Sequence, residues 1–142
     1  MLSPIQTRKH WIRSLHFDPA AEFAKQGSCH LGITLESRKC KEHWHIRLGI
    51  VFGPKDGSKM NYRGRVEFEG IFDVHPDFPP EKTEDMVRMN GGAILYGAIR
   101  ELILTLTSRS EHGPFEMPTI DARMFIKKTE DPEKPKLAKK RA

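Results

Sequence analysis

"NGGAILYGAIRELILTLTSRS", residues 90–110, decides the fold, because it reads as one long helix with apolar residues on nearly every side. At helical spacing Leu95, Ala98, Ile99, Leu102 and Leu106 form a stripe able to pack on a sheet. Ile94, Tyr96, Ile103 and Leu104 lie off that stripe. A helix apolar all round must be covered on two sides. The simplest second cover is another copy of the chain; the alternative is the C-terminal loop of the same chain. Gly91, Gly92 and Gly97 each cost about 1 kcal/mol of helix propensity relative to Ala, which points to close helix approach or a kink. The most apolar run, residues 93–106, is 14 residues long and contains Arg100 and Glu101. A bilayer span needs about 20 apolar residues, so the expected place for this helix is a protein interior and not a membrane.

Upstream of the helix the period changes from helical to alternating. Between residues 8 and 17, Trp11, Leu15 and Phe17 sit at odd positions between polar residues, the pattern of a half-buried strand. "DPAAEFAKQGS", residues 18–28, breaks it. "CHLGITLES", residues 29–37, puts Leu31, Ile33 and Leu35 on one face. "EHWHIRLGIVF", residues 42–52, alternates strictly, with Trp44, Ile46, Leu48, Ile50 and Phe52 opposite His43, His45 and Arg47. "GPKDGSK", residues 53–59, has the Asp-Gly chemistry of a hairpin turn. The returning strand carries Val66 and Phe68 on one face, and Gly70 to Phe72 read as the end of a buried strand. "HPDFPPEKT", residues 75–83, is a proline-rich crossing that exposes Phe78, and a short amphipathic piece, residues 84–89, precedes the helix. After it, "EHGPFEMPTIDARMF", residues 111–125, is a Pro- and Gly-broken loop. The predicted class is α+β: a four-stranded antiparallel sheet followed by a long helix, in one domain over residues 1–126. Residues 127–142 lack apolar periodicity and read as a disordered basic tail.

The net charge of +5 over 142 residues is a property of that tail, whose last sixteen residues supply +4. A basic tail can hold nucleic acid or the ribosome by counterion release. Interspersed Glu130, Asp131 and Glu133, and the lack of aromatic residues for stacking, favour a solubilising extension. Two cysteines, Cys29 and Cys40, are too few for a secreted disulfide framework, and no apolar run follows Arg8 and Lys9 to make a signal peptide. The expected location is the cytoplasm.

Catalytic and metal signals are weak. Cys40, His43 and His45 have a C-x2-H-x-H spacing, but on a strand the two histidines share a face that Cys40 does not, so no zinc site is expected. Ser110, Glu111 and His112 are adjacent in sequence, whereas triads are assembled by folding. No nucleophile elbow or phosphate-binding loop is present, so neither an enzyme nor a cofactor is expected. More unusual are the apolar side chains in loops: Phe78, Phe115, Met117, Ile120 and Phe125. Each either closes the core or receives a partner.

The order of these segments resembles the SecB family of protein-export chaperones. The resemblance spans residues 8–126 and rests on "WIRSLHFDP", "EFEGIFDV" and the helix-plus-loop stretch of residues 90–125, including Gly70 to Phe72, Ile94-Leu95, Arg100-Glu101 and Ser108-Arg109. It implies an ATP-independent holdase that keeps unfolded polypeptides in apolar grooves and assembles as a dimer of dimers. Carried onto this chain, Phe72, Phe78, Met86, Val87, Phe115, Met117, Ile120 and Phe125 become client-binding candidates. Ile94, Leu95, Ile99, Leu102, Ile103 and Leu106 become candidates for the interface between copies. Asp18 matches an acidic position for docking the translocase ATPase SecA, while Ser14, Arg63 and Arg65 depart from the family's acidic docking face. No second, C-terminal helix is evident. SecB-like proteins also serve as dedicated chaperones of antitoxins, a role that suits a basic, tail-altered member.

Overall fold

The computed structural model describes residues 1–21, 29–55 and 60–126. Four strands, β1 (Ile5–Pro19), β2 (Cys29–Cys40), β3 (His43–Pro54) and β4 (Tyr62–Val74), are followed by one long helix, α1 (Pro80–Ser108), and a 3-10 turn, Ala122–Phe125. The strands form a single antiparallel sheet in the order β1-β4-β3-β2, which leaves β1 and β2 as edges. The four-stranded sheet and long helix are those read from the sequence. The expected tail and the Asp-Gly tip of the β3–β4 hairpin lie outside the described residues. A two-residue connection, Lys41 and Glu42, joins β2 to β3, with Lys41 in the left-handed region at φ 52°.

Alternation sets the two faces of the sheet. On β3 and β4 the even-numbered residues Ile46, Leu48, Ile50, Phe52, Val66 and Phe72 turn to the helix and are at most 1% exposed. Fully burying each aliphatic or Phe side chain contributes about 1.5–3 kcal/mol relative to leaving it in water. Strict alternation fails on β1. Its register against β4 gains an extra residue at Arg8 and another at Arg13. Each bulge inverts the facing of the strand residues beyond it. Leu15 and Phe17 therefore sit on the helix side, opposite Val66 and Gly64, while Trp11 lies on the far side, opposite Glu69. The expectation of one shared face for Trp11, Leu15 and Phe17 is corrected accordingly. Both bulge residues are arginines that reach carboxylates of β4: Arg8 to Asp73 at 3.1 Å, and Arg13 to Glu69 at 2.7 Å and Glu67 at 3.3 Å.

The helix starts ten residues before its apolar core. Pro80 opens it, its ring presetting φ for the first turn and its missing N–H costing nothing there. The proline-rich crossing therefore ends at Pro79, and the short piece expected at residues 84–89 is continuous with the long helix. Val87, Leu95, Ile99, Ile103 and Thr107 are wholly buried and Tyr96 is 3% exposed, so Ile103 and Tyr96 face the core rather than lying off the stripe. Ala98 and Leu102 are half-buried. Gly91 and Gly92 bring the helix onto the sheet and onto the end of the connecting segment beyond it. A Cβ at Gly92 would stand 2.6 Å from the Phe125 ring and 2.8 Å from Leu35 Cδ1.

Candidate functional site

After α1 the chain turns at residues 109–114 and runs back along the helix to the 3-10 turn, without regular structure between. Helix and sheet side chains hold this connecting segment by its backbone. The Thr107 hydroxyl accepts from the Phe115 N–H at 2.8 Å and donates to Ile103 O at 2.7 Å. Tyr96 OH donates to Pro118 O, and Arg100 Nε to Met117 O at 3.1 Å. Arg88 donates from Nε to Phe125 O at 2.8 Å and from Nη1 to Ser37 Oγ at 3.0 Å, tying the end of the segment to β2. Tyr62 OH donates to Gly113 O at 2.6 Å and accepts from the His112 N–H. Burial pushes both phenols above their usual range, partly offset by the His112 N–H at Tyr62 and by Arg100 at Tyr96. Both hydroxyls stay proton donors at neutral pH.

The segment lies beside the β2 edge. At one end the Phe115 ring packs 6.0 Å from that of Phe52, whose partner on β2 is Leu31. At the other, Phe125 closes over Gly92 next to Leu35. Between these ends Leu31, Ile33 and Leu35 of β2, with Phe115 and Ile120, are only half-buried, forming an apolar strip along the sheet edge. A second apolar region lies at the crossing, where a cleft of about 550 Å³ is lined by Leu2, Pro4, Val74, Pro76, Phe78 and Pro79. The crossing is pinned there by His75 N–H to Pro4 O at 2.8 Å and Phe78 N–H to His75 O at 3.0 Å.

Most residues expected to bind a client are core. Phe72 and Val87 are wholly buried, Met117 is 1% and Phe125 3% exposed, and Met86 is 9% exposed. Phe72 faces the helix from β4, and Met117 and Phe125 are the anchors by which the connecting segment attaches. Phe78, Phe115 and Ile120 keep accessible surface. Among the interface candidates, Leu95, Ile99 and Ile103 are wholly buried against the chain's own sheet, whereas Ile94 is 39% exposed and Leu102 and Leu106 are half-buried. A Cβ at Gly97 would meet nothing within 4 Å. The residues that sequence reading misses are the polar anchors Tyr62, Arg88, Tyr96 and Thr107. Their signal is polar side chains inside apolar runs, visible for Tyr96 and Thr107 but ambiguous without the loop's position.

On the sheet face away from the helix, the Glu69 carboxylate is 7% exposed and accepts from Arg13 and from Arg47 at 3.1 Å, with His45 Nε2 3.3 Å away. Burial pushes its pKa up, but the hydrogen bonds from Arg13 and Arg47 and the charges of Arg13 and His45 outweigh that, and the net shift is downward. His45 also packs on the Trp11 ring at 5.9 Å, so it is part of this cluster. Cys29 and Cys40 are free thiols at opposite ends of β2. Among the described residues no three His, Cys, Asp or Glu side chains are grouped to hold a metal, and no helix is long and apolar enough to cross a membrane.

No protein-family model matches the chain, and no curated protein sequence matches it. Solved structures do. The Mycobacterium tuberculosis SecB-like chaperone Rv1957, solved in complex with a ChAD peptide from the HigA1 antitoxin, superposes with a TM-score of 0.64. The match is 18% identical and covers 82% of this chain and 91% of that one. A Streptococcus agalactiae protein of unknown function matches at a TM-score of 0.42 and 10% identity, over 81% of this chain and 97% of that one. With its β1-β4-β3-β2 antiparallel sheet and, among the described residues, one long helix, the chain has the SecB-like fold.

Proposed function

We propose that this protein is an ATP-independent chaperone that holds extended, apolar stretches of unfolded polypeptide, and that it is not an enzyme. The observation that carries the reading is the half-buried strip of Leu31, Ile33, Leu35, Phe115 and Ile120 between an edge strand and a segment pinned by its backbone. Such a strip offers apolar contact without a closed pocket, and each subsite contributes only about 25 cal/mol per Å² buried, so affinity accumulates over several subsites. The cleft at Phe78 is a second subsite of the same kind. The SecB-like fold, shared with a chaperone that binds an antitoxin peptide, supports the same conclusion.

A dedicated client such as an antitoxin suits the surface better than delivery to SecA. The Asp18 carboxylate is 2.9 Å from His16 Nε2, and the surrounding sheet face is basic rather than acidic. The working form is an assembly of copies, the reading supported by Ile12 at 47%, Leu15 at 41% and Ile94 at 39% exposure. Ile12 and Leu15 lie on the helix side of β1, beyond the cover of α1. A second copy burying them would remove the apolar surface that a lone chain leaves in water. The test is suppression of aggregation of a chemically unfolded client, with solution mass measured by light scattering. The wild type slows aggregation at equimolar chain, and Phe78→Ser combined with Ile120→Asp weakens holding at unchanged mass. A protein that never slows aggregation, or a double variant that holds client as well as wild type, overturns the assignment. A monomer at all concentrations removes the assembly.

A further inference from the structure

The face of the sheet turned away from α1 is divided electrostatically. In one half every arginine of β1 and β3 has a carboxylate partner: Arg8 on Asp73, Arg13 on Glu67 and Glu69, Arg47 on Glu69. In the other half the side chains of Arg63 and Arg65 on β4 are exposed and have no hydrogen bond or ion pair among the described residues. The acid opposite Arg63 is Asp18, whose carboxylate is taken up by His16. Across the sheet Arg65 is flanked by Val51, 44% exposed, and the neighbouring outward positions at 32 and 53 are glycines. Two missing side chains leave the floor low, and a trough of about 610 Å³ runs between His16, Asp18, His30, Val51, Arg63 and Arg65.

We infer that this trough binds an acidic, extended segment of polypeptide with carboxylates at alternate positions. Arg63 and Arg65 point the same way from one strand, so their stems repeat at about 6.7 Å, the spacing of alternate side chains in an extended peptide. Each guanidinium offers paired donors to a carboxylate. Val51 provides the apolar contact for a side chain between or beside the acids. A stacked nucleic acid fits less well, because Phe52, the one Phe, Tyr or Trp of the lining, is turned into the core and is 1% exposed. The site is on the opposite face from the client strip and goes beyond holding apolar chain. It gives an acidic protein partner its own foothold.

The test uses the full chain and a short labelled peptide of alternating aspartate and valine, with a lysine-valine peptide and a single-stranded oligonucleotide as comparison probes. The aspartate peptide binds wild type with an affinity that falls as salt rises. Arg63→Glu with Arg65→Glu weakens it more than about tenfold and creates binding for the lysine peptide, while the charge-matched Lys39→Glu with Arg109→Glu retains wild-type binding. Arg63→Gln with Arg65→Gln, read by its weakened binding of the aspartate peptide alone, replaces the reversal if that variant does not fold. Equal binding of the aspartate peptide by wild type and either trough variant overturns the inference. So does trough-dependent capture of the oligonucleotide without capture of the peptide. Aggregation suppression is measured on the same variants, so loss of the acidic foothold with intact holding is distinguishable from loss of the chaperone activity itself.

Discussion

Replacing Gly92 and Gly97 by alanine, one at a time, makes the same chemical change twice on one helix and should move stability in different directions. Each substitution gains about 1 kcal/mol of helix propensity. At Gly97 the new methyl group meets nothing within 4 Å, so the whole gain is kept, and melting rises by roughly 3–5 °C for a chain of this size. At Gly92 the methyl would stand 2.6 and 2.9 Å from ring atoms of Phe125 and 2.8 Å from Leu35 Cδ1. Leu35 can turn its methyl away. Phe125 cannot move alone, because its carbonyl is held by Arg88 and its ring closes the end of the connecting segment. Overpacking of this kind costs about 1–3 kcal/mol. Set against the propensity gain, Gly92→Ala falls from about zero to about 2 kcal/mol below wild type, and about 1–3 kcal/mol below Gly97→Ala. Urea unfolding monitored by circular dichroism at low protein concentration measures both, and limited proteolysis reports whether residues 111–126 have come loose. Equal stability of the two variants would refute the close approach at Gly92. If Gly97→Ala stabilises the chain yet lowers its solution mass, a partner helix approaches there.

Two further perturbations test the anchors. Thr107→Val leaves the Phe115 N–H without its acceptor and is expected to cost about 1–3 kcal/mol in chemical denaturation, whereas Ser108→Ala, whose exposed hydroxyl donates to Leu104 O, should change stability by less than about 0.5 kcal/mol. Glu69 has a folded pKa below its ordinary 4.5, so its ionised form adds stability that is present above that value and lost as pH falls through the lowered folded pKa. Glu69→Gln should therefore be less stable than wild type at neutral pH, and the gap should close on acidification below about pH 4.5; a gap independent of pH would contradict the ion cluster.

The legibility of each element in the sequence depends on its physics. β3 is readable because both its neighbours are strands and one face is buried along its whole length, so Trp44 to Phe52 alternate without exception. β1 misleads because bulges at Arg8 and Arg13 leave no mark in hydropathy; only the positions of their carboxylate partners on β4 explain them, and those are more than fifty residues away. The start of α1 reads late because Pro79 and Pro80 suit a crossing and a helix opening equally. Among site residues, Phe78, Phe115 and Ile120 can be named from apolar side chains in loops. The same signal also picks out Met117 and Phe125, because an apolar residue that anchors a loop and one that offers itself to a client have identical composition. What separates them is the hydrogen bonding of Tyr96, Arg100 and Arg88 to the loop backbone, which fixes which side chains point inward.

The two arginine bulges also make β1 a strand whose alignment is held by charge. A one-residue slide would carry Arg8 and Arg13 away from Asp73, Glu67 and Glu69 and reverse which side chains face the helix. For an edge strand with exposed Ile12 and Leu15, slippage is also the route to pairing with a wrong chain. The ion pairs thus act as a latch on alignment more than as a source of stability. Neutralising the carboxylates, by acid or by mutation, would loosen the choice of partner strand before it unfolded the protein.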